Sequence, residues 1–270
     1  MLVSDIDGTL VTPDKVLTPK AAAAVARMGE ARILFTLISS RPPRGMCALV
    51  SALNIRLPFA AFNGGSVVAP DGRVLEPRRL SEWAARTALD LLDEHGVDAW
   101  VFADDEWWLR DPSAPYVAAH RRTMGFDPVV AQDFMGIIAR IDKIVAVSDS
   151  PTRLAAVEAA ARIQLVGKAT IDLSQPYYLD ITHPEANKGR GVLTICAILG
   201  IDPGDTAVVG DMMNDLAMFQ VAGLAIAMGQ APDAVKAGAD KVAHSNAEEG
   251  FADAVQRFVI SGAPFKRRAS

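Results

Sequence analysis

The stretch that decides the fold is residues 1–10, MLVSDIDGTL, in which a short apolar run ends at an acidic turn. Residues 2–6 predict a buried strand, because the run is short, apolar and followed by turn-forming residues. Asp5 and Asp7 lie at its carboxyl end. Since ligands of open parallel sheets bind beyond the carboxyl ends of the strands, we expect both aspartates to belong to a functional site there.

Strand and helix patterns alternate outward from this stretch. Further apolar runs predict strands over residues 32–38, 58–62, 206–210, 224–228 and 241–244. Helical patterns separate them, as after Thr18 and Pro19, which suit the N-cap and the first helical position. Strands joined through helices imply right-handed crossovers and a parallel sheet. We therefore expect an α/β fold with a Rossmann-like parallel-sheet core, formed by residues 1–80 and 185–270.

Residues 81–184 have a different pattern. Their predicted strands lie close together, with a hairpin over residues 97–103 and 106–110, and the segment contains all four tryptophans of the chain. Helices are predicted over residues 82–95, 113–124 and 151–163. Because an insertion with close ends is tolerated at a surface loop, we expect an inserted α+β cap domain over residues 81–184.

The composition is that of an ordinary globular protein and narrows the functional classes. The 270 residues are 50% hydrophobic and 22% charged, with a net charge of −5, which excludes a disordered chain. Two cysteines without a Cys-x-x-Cys pair exclude a disulfide framework and a cysteine zinc site. Without a global basic field, nucleic acid is not expected as the main ligand.

Neither membrane insertion nor export is expected from the sequence. No apolar run approaches the roughly 18 residues that a spanning helix needs, and the N-terminus turns acidic at Asp5 instead of continuing into the apolar stretch of a signal peptide. A cytoplasmic location is therefore expected. The basic residues Lys266, Arg267 and Arg268 are expected to be a solvated tail.

Polar side chains follow the predicted strands at the edge where a site is expected. They are Asp5 and Asp7; Ser39, Ser40 and Arg41; Asn63, followed by Gly64, which offers only backbone groups; and Asp211, Asn214 and Asp215. Lys188 joins them at the start of the helix that follows the insertion. All of these side chains would converge in one crevice beyond the sheet.

Such a crevice is suited to phosphoryl transfer. Two carboxylates about 4 Å apart repel by roughly 4 kcal/mol at an effective dielectric of about 20, and a bound phosphate adds to the repulsion. Mg²⁺ prefers oxygen ligands and relieves it. A lysine adds positive charge, hydroxyls and backbone N–H groups donate to phosphate oxygens, and a carboxylate can form an aspartyl-phosphate.

The motifs resemble those of the haloacid dehalogenase-like phosphatases. Residues 5–10, DIDGTL, resemble the Asp-x-Asp-Gly-Thr motif of that family, and residues 187–189 and 210–215 resemble its later motifs in the same order. Residues 38–42, ISSRP, resemble the Ala-Thr-Gly-Arg-Pro of its Cof-type (subfamily IIB) members. The resemblance covers essentially the whole chain and implies a C2-type cap at the insertion.

The resemblance implies a role for each residue. Asp5 would attack phosphorus, and Asp7 would protonate the leaving alcohol and then deprotonate water. Ser39 and Lys188 would hold the phosphate. To act as an acid near neutral pH, the Asp7 carboxyl must be partly protonated when substrate is bound.

The resemblance also implies Mg²⁺ as the cofactor. The ion would sit on Asp5, the Asp7 backbone carbonyl and Asp211, with Asp215 in support, while Asn214 would reach the phosphate or orient Lys188. Two positions depart from the family pattern. Ser39 stands for the usual threonine and keeps the hydroxyl, and Ser40 stands for glycine, which can narrow the pocket or shift the Arg41 backbone.

Several of these residues also have ordinary structural interpretations. Asn63 and Gly64 would bind substrate, but a tight turn explains the glycine equally well. Arg41 would bind substrate or brace the sheet edge. Asn214 would reach the site or cap a helix. Within the insertion, residues 104–108 or 177–179 are expected to contribute to substrate specificity.

Two functional alternatives remain open beside a phosphatase for small phosphorylated metabolites, sugar phosphates foremost. A phosphomutase acting on hexose phosphates would use the same chemistry and return the phosphoryl group to the sugar. A receiver-like signalling module would keep a long-lived phosphoaspartate, for which a hundred-residue cap has no use. The expected partner is a small phosphorylated molecule, and the protein is expected to be a monomer or a homodimer.

Overall fold

The computed structural model describes residues 1–262, so Lys266, Arg267 and Arg268 lie outside the described residues. The strands are β1 (Leu2–Ser4), β2 (Phe35–Leu37), β3 (Phe59–Ala61), β4 (Ser66–Val68), β5 (Val74–Pro77), β6 (Asp98–Ala103), β7 (Glu106–Leu109), β8 (Val129–Val130), β9 (Ile141–Val147), β10 (Thr170–Gln175), β11 (Tyr178–Thr182), β12 (Ala207–Gly210), β13 (Leu224–Ala227) and β14 (Lys241–Val242). The helices are α1 (Pro19–Glu30), α2 (Cys47–Ala52), α3 (Glu82–Glu94), α4 (Val117–Met124), α5 (Pro151–Gln164), α6 (Lys188–Leu199), α7 (Leu216–Val221), α8 (Asp233–Ala237) and α9 (Gly250–Ala254).

A five-stranded parallel sheet forms the core, with the strand order β14-β13-β12-β1-β2. The central strand β1 pairs with β12 on one side and β2 on the other, with Leu2 opposite Ala207 and Phe35. Strands β1, β2 and β12 are short and fully buried, as expected where helices cover both faces of a sheet. The expected α/β fold with a parallel-sheet core is confirmed, and the carboxyl ends of β1 and β12 lie side by side.

Local sequence signals set the ends of the core helices. The Thr18 hydroxyl accepts a hydrogen bond from the Ala21 N–H, and Pro19 opens α1 as expected. Asn187 caps α6 in the same way through the Arg190 N–H. Gly200 ends α6 in the left-handed conformation, with φ of 66°. The Asn187 cap positions Lys188 in the first turn of α6, directly beside the sheet edge.

The prediction that residues 58–62 form a third core strand is only half right. β3 pairs antiparallel with β4, in a separate three-stranded sheet of order β3-β4-β5. It touches the core sheet through a parallel bridge between Ile38 and Ala60. The chain leaves the strand direction at once, because Phe62 and Asn63 both adopt left-handed conformations.

A second, six-stranded sheet occupies the middle of the chain, with the order β10-β11-β9-β6-β7-β8. Its pairs are antiparallel except β7 with β8. One face packs on α3 and α5 in a core of its own. The other face carries Trp100, Phe102 and Trp107, which belong to the same hydrophobic cluster as Met46 and other core residues. The division of the chain at residues 81 and 184 stays a prediction.

Some predicted boundaries in the helices are wrong. The helix predicted from residue 113 begins at Val117, because Tyr116 adopts a left-handed conformation with φ of 68°. The helix predicted over residues 248–260 is divided into a 3-10 turn, α9 and a π-helical turn at Val255–Ile260. Strand β8 is not predicted from the sequence, since two residues carry no periodic signal. Within residues 1–262, no helix has both the length and the hydropathy needed to cross a membrane.

Candidate active site

Four charged side chains meet at the carboxyl edge of the parallel sheet. Asp5 directly follows β1, Asp211 follows β12, and Asp215 lies one turn further on. The Nζ of Lys188 donates to Oδ1 of Asp5 at 2.5 Å and to Oδ1 of Asp215 at 2.6 Å. All four residues are buried. Asp5 and Lys188 are 183 positions apart in the chain, and they meet where the strand ends predict.

The acidic cluster fits a divalent cation. One carboxylate oxygen from each of Asp5, Asp211 and Asp215 lies within 4.8 Å of the others. Burial and the neighbouring carboxylates, opposed by Lys188, raise the pKa of Asp5 to about 8. Burial and Asp215, again opposed by Lys188, raise the pKa of Asp211 to about 6. Lys188 alone therefore does not neutralise the three carboxyl groups of this cluster when they are ionised. A divalent cation would, and ligands that are all oxygen suit Mg²⁺.

Asp215 holds the turn that carries Asp211. Its Oδ2 accepts hydrogen bonds from the backbone N–H groups of Asp211 and Met212, both at 2.8 Å. Its Oδ1 accepts from Lys188. With both oxygens already bound to the chain, Asp215 is placed to orient the other groups of the cluster.

Gly8 leaves room for the Asp211 carboxylate. Gly8 has φ of 87°, and a Cβ on it would lie 2.2 Å from Oδ2 of Asp211. The Thr9 hydroxyl donates to Oδ1 of Asp211 at 3.2 Å, and Gln230 donates to the Gly8 carbonyl at 2.6 Å. The sequence interpretation misses Gln230, although it follows β13 at the same sheet edge.

Replacing Gly8 by alanine is expected to displace the Asp211 carboxylate and lower turnover by at least about tenfold. Alanine at Gly72 is the matched control, because Gly72 has nearly the same φ, 89°, and a Cβ there would meet no atom within 4 Å. In both variants, alanine at a positive φ costs roughly 1 kcal/mol of stability. Thermal unfolding of the two variants measures this common destabilisation, so that it can be separated from the loss of activity. Equal activities of the two variants would contradict the packing role of Gly8.

Asp7 is held as a carboxylate by two cations. Arg41 donates to its two oxygens at 2.7 and 2.8 Å, and the Lys15 Nζ lies 3.0 Å from Oδ1. Burial opposes ionisation, but the hydrogen bonds and charge of Arg41, with the charge of Lys15, outweigh it. They hold the pKa of Asp7 well below its usual range. In this arrangement, without substrate, Asp7 is ionised. Its partial protonation with substrate bound stays a prediction.

Arg41 braces the loop after β2. Besides Asp7, its guanidinium donates to the Gly45 carbonyl at 3.3 Å, and the side chain is buried. Without substrate, Arg41 therefore braces this loop, and substrate binding by Arg41 stays a prediction. The sequence interpretation misses Lys15, because its approach to Asp7 depends on the turn at residues 12–16, where it adopts φ of 63°.

The loop residues after β2 and β3 line the same edge. Ser39 is buried, and its Oγ accepts a hydrogen bond from the Arg41 N–H at 3.2 Å. The Asn214 amide donates to Oδ1 of Asn63 at 3.2 Å. Oδ1 of Asn214 is buried without a hydrogen-bond partner, so the pair has an acceptor to offer at the sheet edge.

Gly64 has a packing role. A Cβ on Gly64 would lie 2.5 Å from the Asn187 carbonyl, and its φ is 87°. The glycine thus lets the loop approach the start of α6. Its carbonyl accepts from Arg78 at 3.2 Å, so close packing explains this glycine without substrate contact.

A cavity of about 120 Å³ lies between the core edge and the second sheet. From the core it is lined by Asp7, Ser40 and Arg41. From the other side it is lined by aromatic and charged side chains, among them Phe102, His120, Lys143, Tyr177, Tyr178 and Asp180. Of the two stretches expected to contact substrate, residues 177–178 line the cavity, whereas Trp107 is fully buried.

Comparisons with known proteins show matches over nearly the whole chain. A family model described as haloacid dehalogenase-like hydrolase matches residues 2–255. Pyridoxal phosphate phosphatase YbhA of Escherichia coli is 24% identical over 268 residues, which cover 96% of this chain and 98% of that protein.

Solved structures share the whole architecture. A haloacid dehalogenase-like hydrolase from Bacteroides thetaiotaomicron is 25% identical with a TM-score of 0.86, and the match covers 95% of this chain and 98% of that one. A subclass IIB sugar phosphatase has a TM-score of 0.85 at 20% identity, covering 96% and 98%. At 20% identity, the similarity to the sugar phosphatase shows a shared fold alone.

Proposed function

The chain belongs to the haloacid dehalogenase-like hydrolase family, and from that premise we propose that it is a Mg²⁺-dependent phosphatase that hydrolyses small phosphomonoesters through an aspartyl-phosphate on Asp5. Relatives in this family are named phosphatases, and the family includes a sugar phosphatase of the same fold. Sugar phosphates are the substrates we propose first.

The observation that carries the proposal is the position of Lys188 between Asp5 and Asp215, beside Asp211. The Lys188 Nζ lies within 2.6 Å of both carboxylates. An isolated ion pair needs one carboxylate, whereas this cluster has three and buries them all. Buried excess carboxylates are costly, and binding a cation together with a phosphate is a function that accounts for them.

Asp5 is the proposed nucleophile. A carboxylate oxygen of Asp5 bonds to phosphorus as the bond between phosphorus and the ester oxygen breaks, and the departing oxygen takes a proton from Asp7. Water then attacks phosphorus and gives its proton to Asp7. The bond between Asp5 and phosphorus breaks, which releases inorganic phosphate and restores the carboxylate.

Asp7 must change partners to perform both proton transfers. In the structure Arg41 and Lys15 keep it ionised, which suits a base. A dianionic phosphate beside it would compete for both cations. We propose that substrate binding loosens this pairing and allows Asp7 to be protonated, so that it serves as the acid first and as the base afterwards.

Phosphate binding is proposed for groups that converge on Asp5. Lys188 supplies positive charge, and the Ser39 hydroxyl and the Asn214 amide supply hydrogen-bond donors. Asp5, the Asp7 backbone carbonyl and Asp211 would hold Mg²⁺, with Asp215 in support. When bound, the ion supplies charge neutralisation for the three carboxylates and the phosphate.

Residues 81–184 are proposed to act as the cap that covers the bound ester. Their inner face forms one wall of the cavity beside Asp7, and exclusion of water with fixed orientation favours phosphoryl transfer. A cytoplasmic location, the absence of nucleic-acid partners and a monomeric or homodimeric state stay predictions.

Metal removal tests the proposed function. A chromogenic aryl phosphate is expected to be hydrolysed with Mg²⁺, and activity is expected to fall at least about 100-fold in EDTA and to return when Mg²⁺ is restored. Chelation by itself must leave the protein folded, which circular dichroism checks. Full activity in EDTA would contradict the magnesium requirement. Isomerised hexose phosphate without free phosphate would instead identify the mutase alternative.

A further inference from the structure

A buried ion pair in the second sheet faces the cavity and has no role in the chemistry described so far. Lys143 on β9 and Asp180 on β11 lie on adjacent strands, and the Lys143 Nζ donates to Oδ2 of Asp180 at 2.6 Å. Both residues are more than nine-tenths buried, and both line the cavity. A buried ion pair is weak evidence for stability, so its place on a cavity wall calls for another explanation.

The same lysine connects the second sheet to the core edge. Its Nζ also donates to the Ser40 carbonyl at 3.1 Å. Ser40 directly follows Ser39, which is a proposed phosphate donor. The pair therefore contacts the residue next to a proposed phosphate donor, and it lines the same cavity as Asp7.

The pair has hydrogen-bonding capacity left over. Oδ1 of Asp180 is buried and accepts no hydrogen bond of normal length and angle, although the Ser174 hydroxyl lies near this carboxylate. Only two of the three ammonium protons of Lys143 have partners among the described contacts. A buried carboxylate oxygen without a donor is costly. Burial, opposed by Lys143 and the nearby Ser174 hydroxyl, raises the pKa of Asp180. A ligand hydroxyl would supply the missing donor.

Beside the ion pair, the cavity wall formed by residues 81–184 carries several aromatic side chains. Phe102, Tyr177 and Tyr178 line it together with His120, whose ring lies 4.8 Å from those of Trp100 and Trp107. Burial, with Lys143 and Arg41 nearby, lowers the pKa of His120 to about 3, so this imidazole is neutral near neutral pH. Aromatic side chains pack against the C–H face of a sugar ring. The Lys143–Asp180 pair would then form hydrogen bonds with the hydroxyls of that sugar.

We propose that Lys143 and Asp180 determine substrate specificity by binding a hydroxyl of the leaving group, with Asp180 accepting a hydrogen bond from the hydroxyl and Lys143 donating one to its oxygen. The substrate class is then hydroxylated phosphomonoesters, such as sugar phosphates, in preference to esters without hydroxyls. This inference rests on the proposed phosphatase function and adds to it the residues that select the alcohol.

The preference for sugar phosphates over esters without hydroxyls tests the proposed role of Lys143 and Asp180. The readout is kcat/KM for a sugar phosphate divided by kcat/KM for a chromogenic aryl phosphate that carries no hydroxyl. Asp180→Asn keeps the side-chain shape but removes the charged acceptor, and is expected to lower this ratio about 10- to 100-fold. Asp142→Asn is the matched control. Asp142 is also a buried carboxylate of the second sheet, paired with Arg79, but it does not line the cavity.

A second experiment uses the wild-type protein, so its result does not depend on whether a variant folds. Among sugar phosphates and their monodeoxy analogues, loss of one particular hydroxyl is expected to lower kcat/KM by at least about tenfold. In the Asp180→Asn protein the same loss should matter less than about threefold. Equal ratios in wild type and Asp180→Asn, or no sensitivity to any deoxygenation, would overturn the inference. Absence of activity on every ester, including the aryl phosphate, would instead reject the proposed function.

Discussion

Asp5→Asn is expected to lower phosphate release from any ester by roughly 10⁴-fold or more, because the amide cannot form the phosphoryl bond. Asp5 is the buried carboxylate that directly follows the central strand. It also accepts the Lys188 hydrogen bond at 2.5 Å. Steady-state release of inorganic phosphate measures the effect. Asp90→Asn, an exposed change on α3, should retain wild-type turnover.

The same variant separates catalysis from folding. Asparagine keeps the shape of Asp5 and removes one of the three clustered carboxyl groups. Without metal, the variant should therefore unfold at the same temperature as wild type or higher, because burial and the neighbouring carboxylates disfavour the ionised form and raise the pKa of Asp5. Substantial turnover in a folded Asp5→Asn protein would reject Asp5 as the nucleophile.

Lys188→Met is expected to lower kcat/KM by about 10²- to 10⁴-fold, because it removes a preorganised positive charge from the site of the developing negative charge. Asp215 and Asp5 outweigh the effect of burial and raise the pKa of Lys188, so the ammonium is charged at neutral pH. Lys188→Arg should not restore activity. The site leaves this side chain 2% exposed, with little room for a wider planar group.

The unfolding temperature of Lys188→Met gives an independent test of the role of Lys188. Removing Lys188 leaves Asp5 and Asp215 without their common cation, and breaking a buried pair from one side is destabilising. We expect a lower unfolding temperature in EDTA and partial recovery with Mg²⁺. Lys20→Met, at an exposed position of α1, is the control and should change neither quantity. Wild-type kcat/KM in Lys188→Met would contradict the charge-neutralisation role.

The centre of the site can be predicted from the sequence because short-range signals determine it. Asp5 and Asp211 follow apolar runs, and Lys188 follows the N-cap Asn187. Adjacent parallel strands then bring these ends together. Such signals are local in sequence, so periodicity and capping rules are enough to locate them.

The partners of these residues depend on tertiary contacts and are harder to predict. Arg41 and Lys15 reach Asp7 from two different turns, and nothing in either turn indicates the pairing. Lys143 and Asp180 occupy ordinary strand positions, where a polar residue usually faces solvent. They are nevertheless buried, where the second sheet contacts the core at Ser40. The antiparallel pairing of β3 with β4 is likewise hard to predict, because formation of this hairpin competes with addition of β3 to the parallel sheet.

The most direct test of the central claim is to trap the phosphoryl group on the protein. Wild-type protein mixed with substrate and Mg²⁺, quenched in acid within milliseconds and reduced with borohydride, should contain homoserine at position 5, since borohydride reduces an acyl phosphate but not a free carboxylate. Peptide mass spectrometry locates the product, and Asp5→Asn should contain none. Phosphate release at full rate with no modification at position 5, or with modification at another aspartate, would contradict the account.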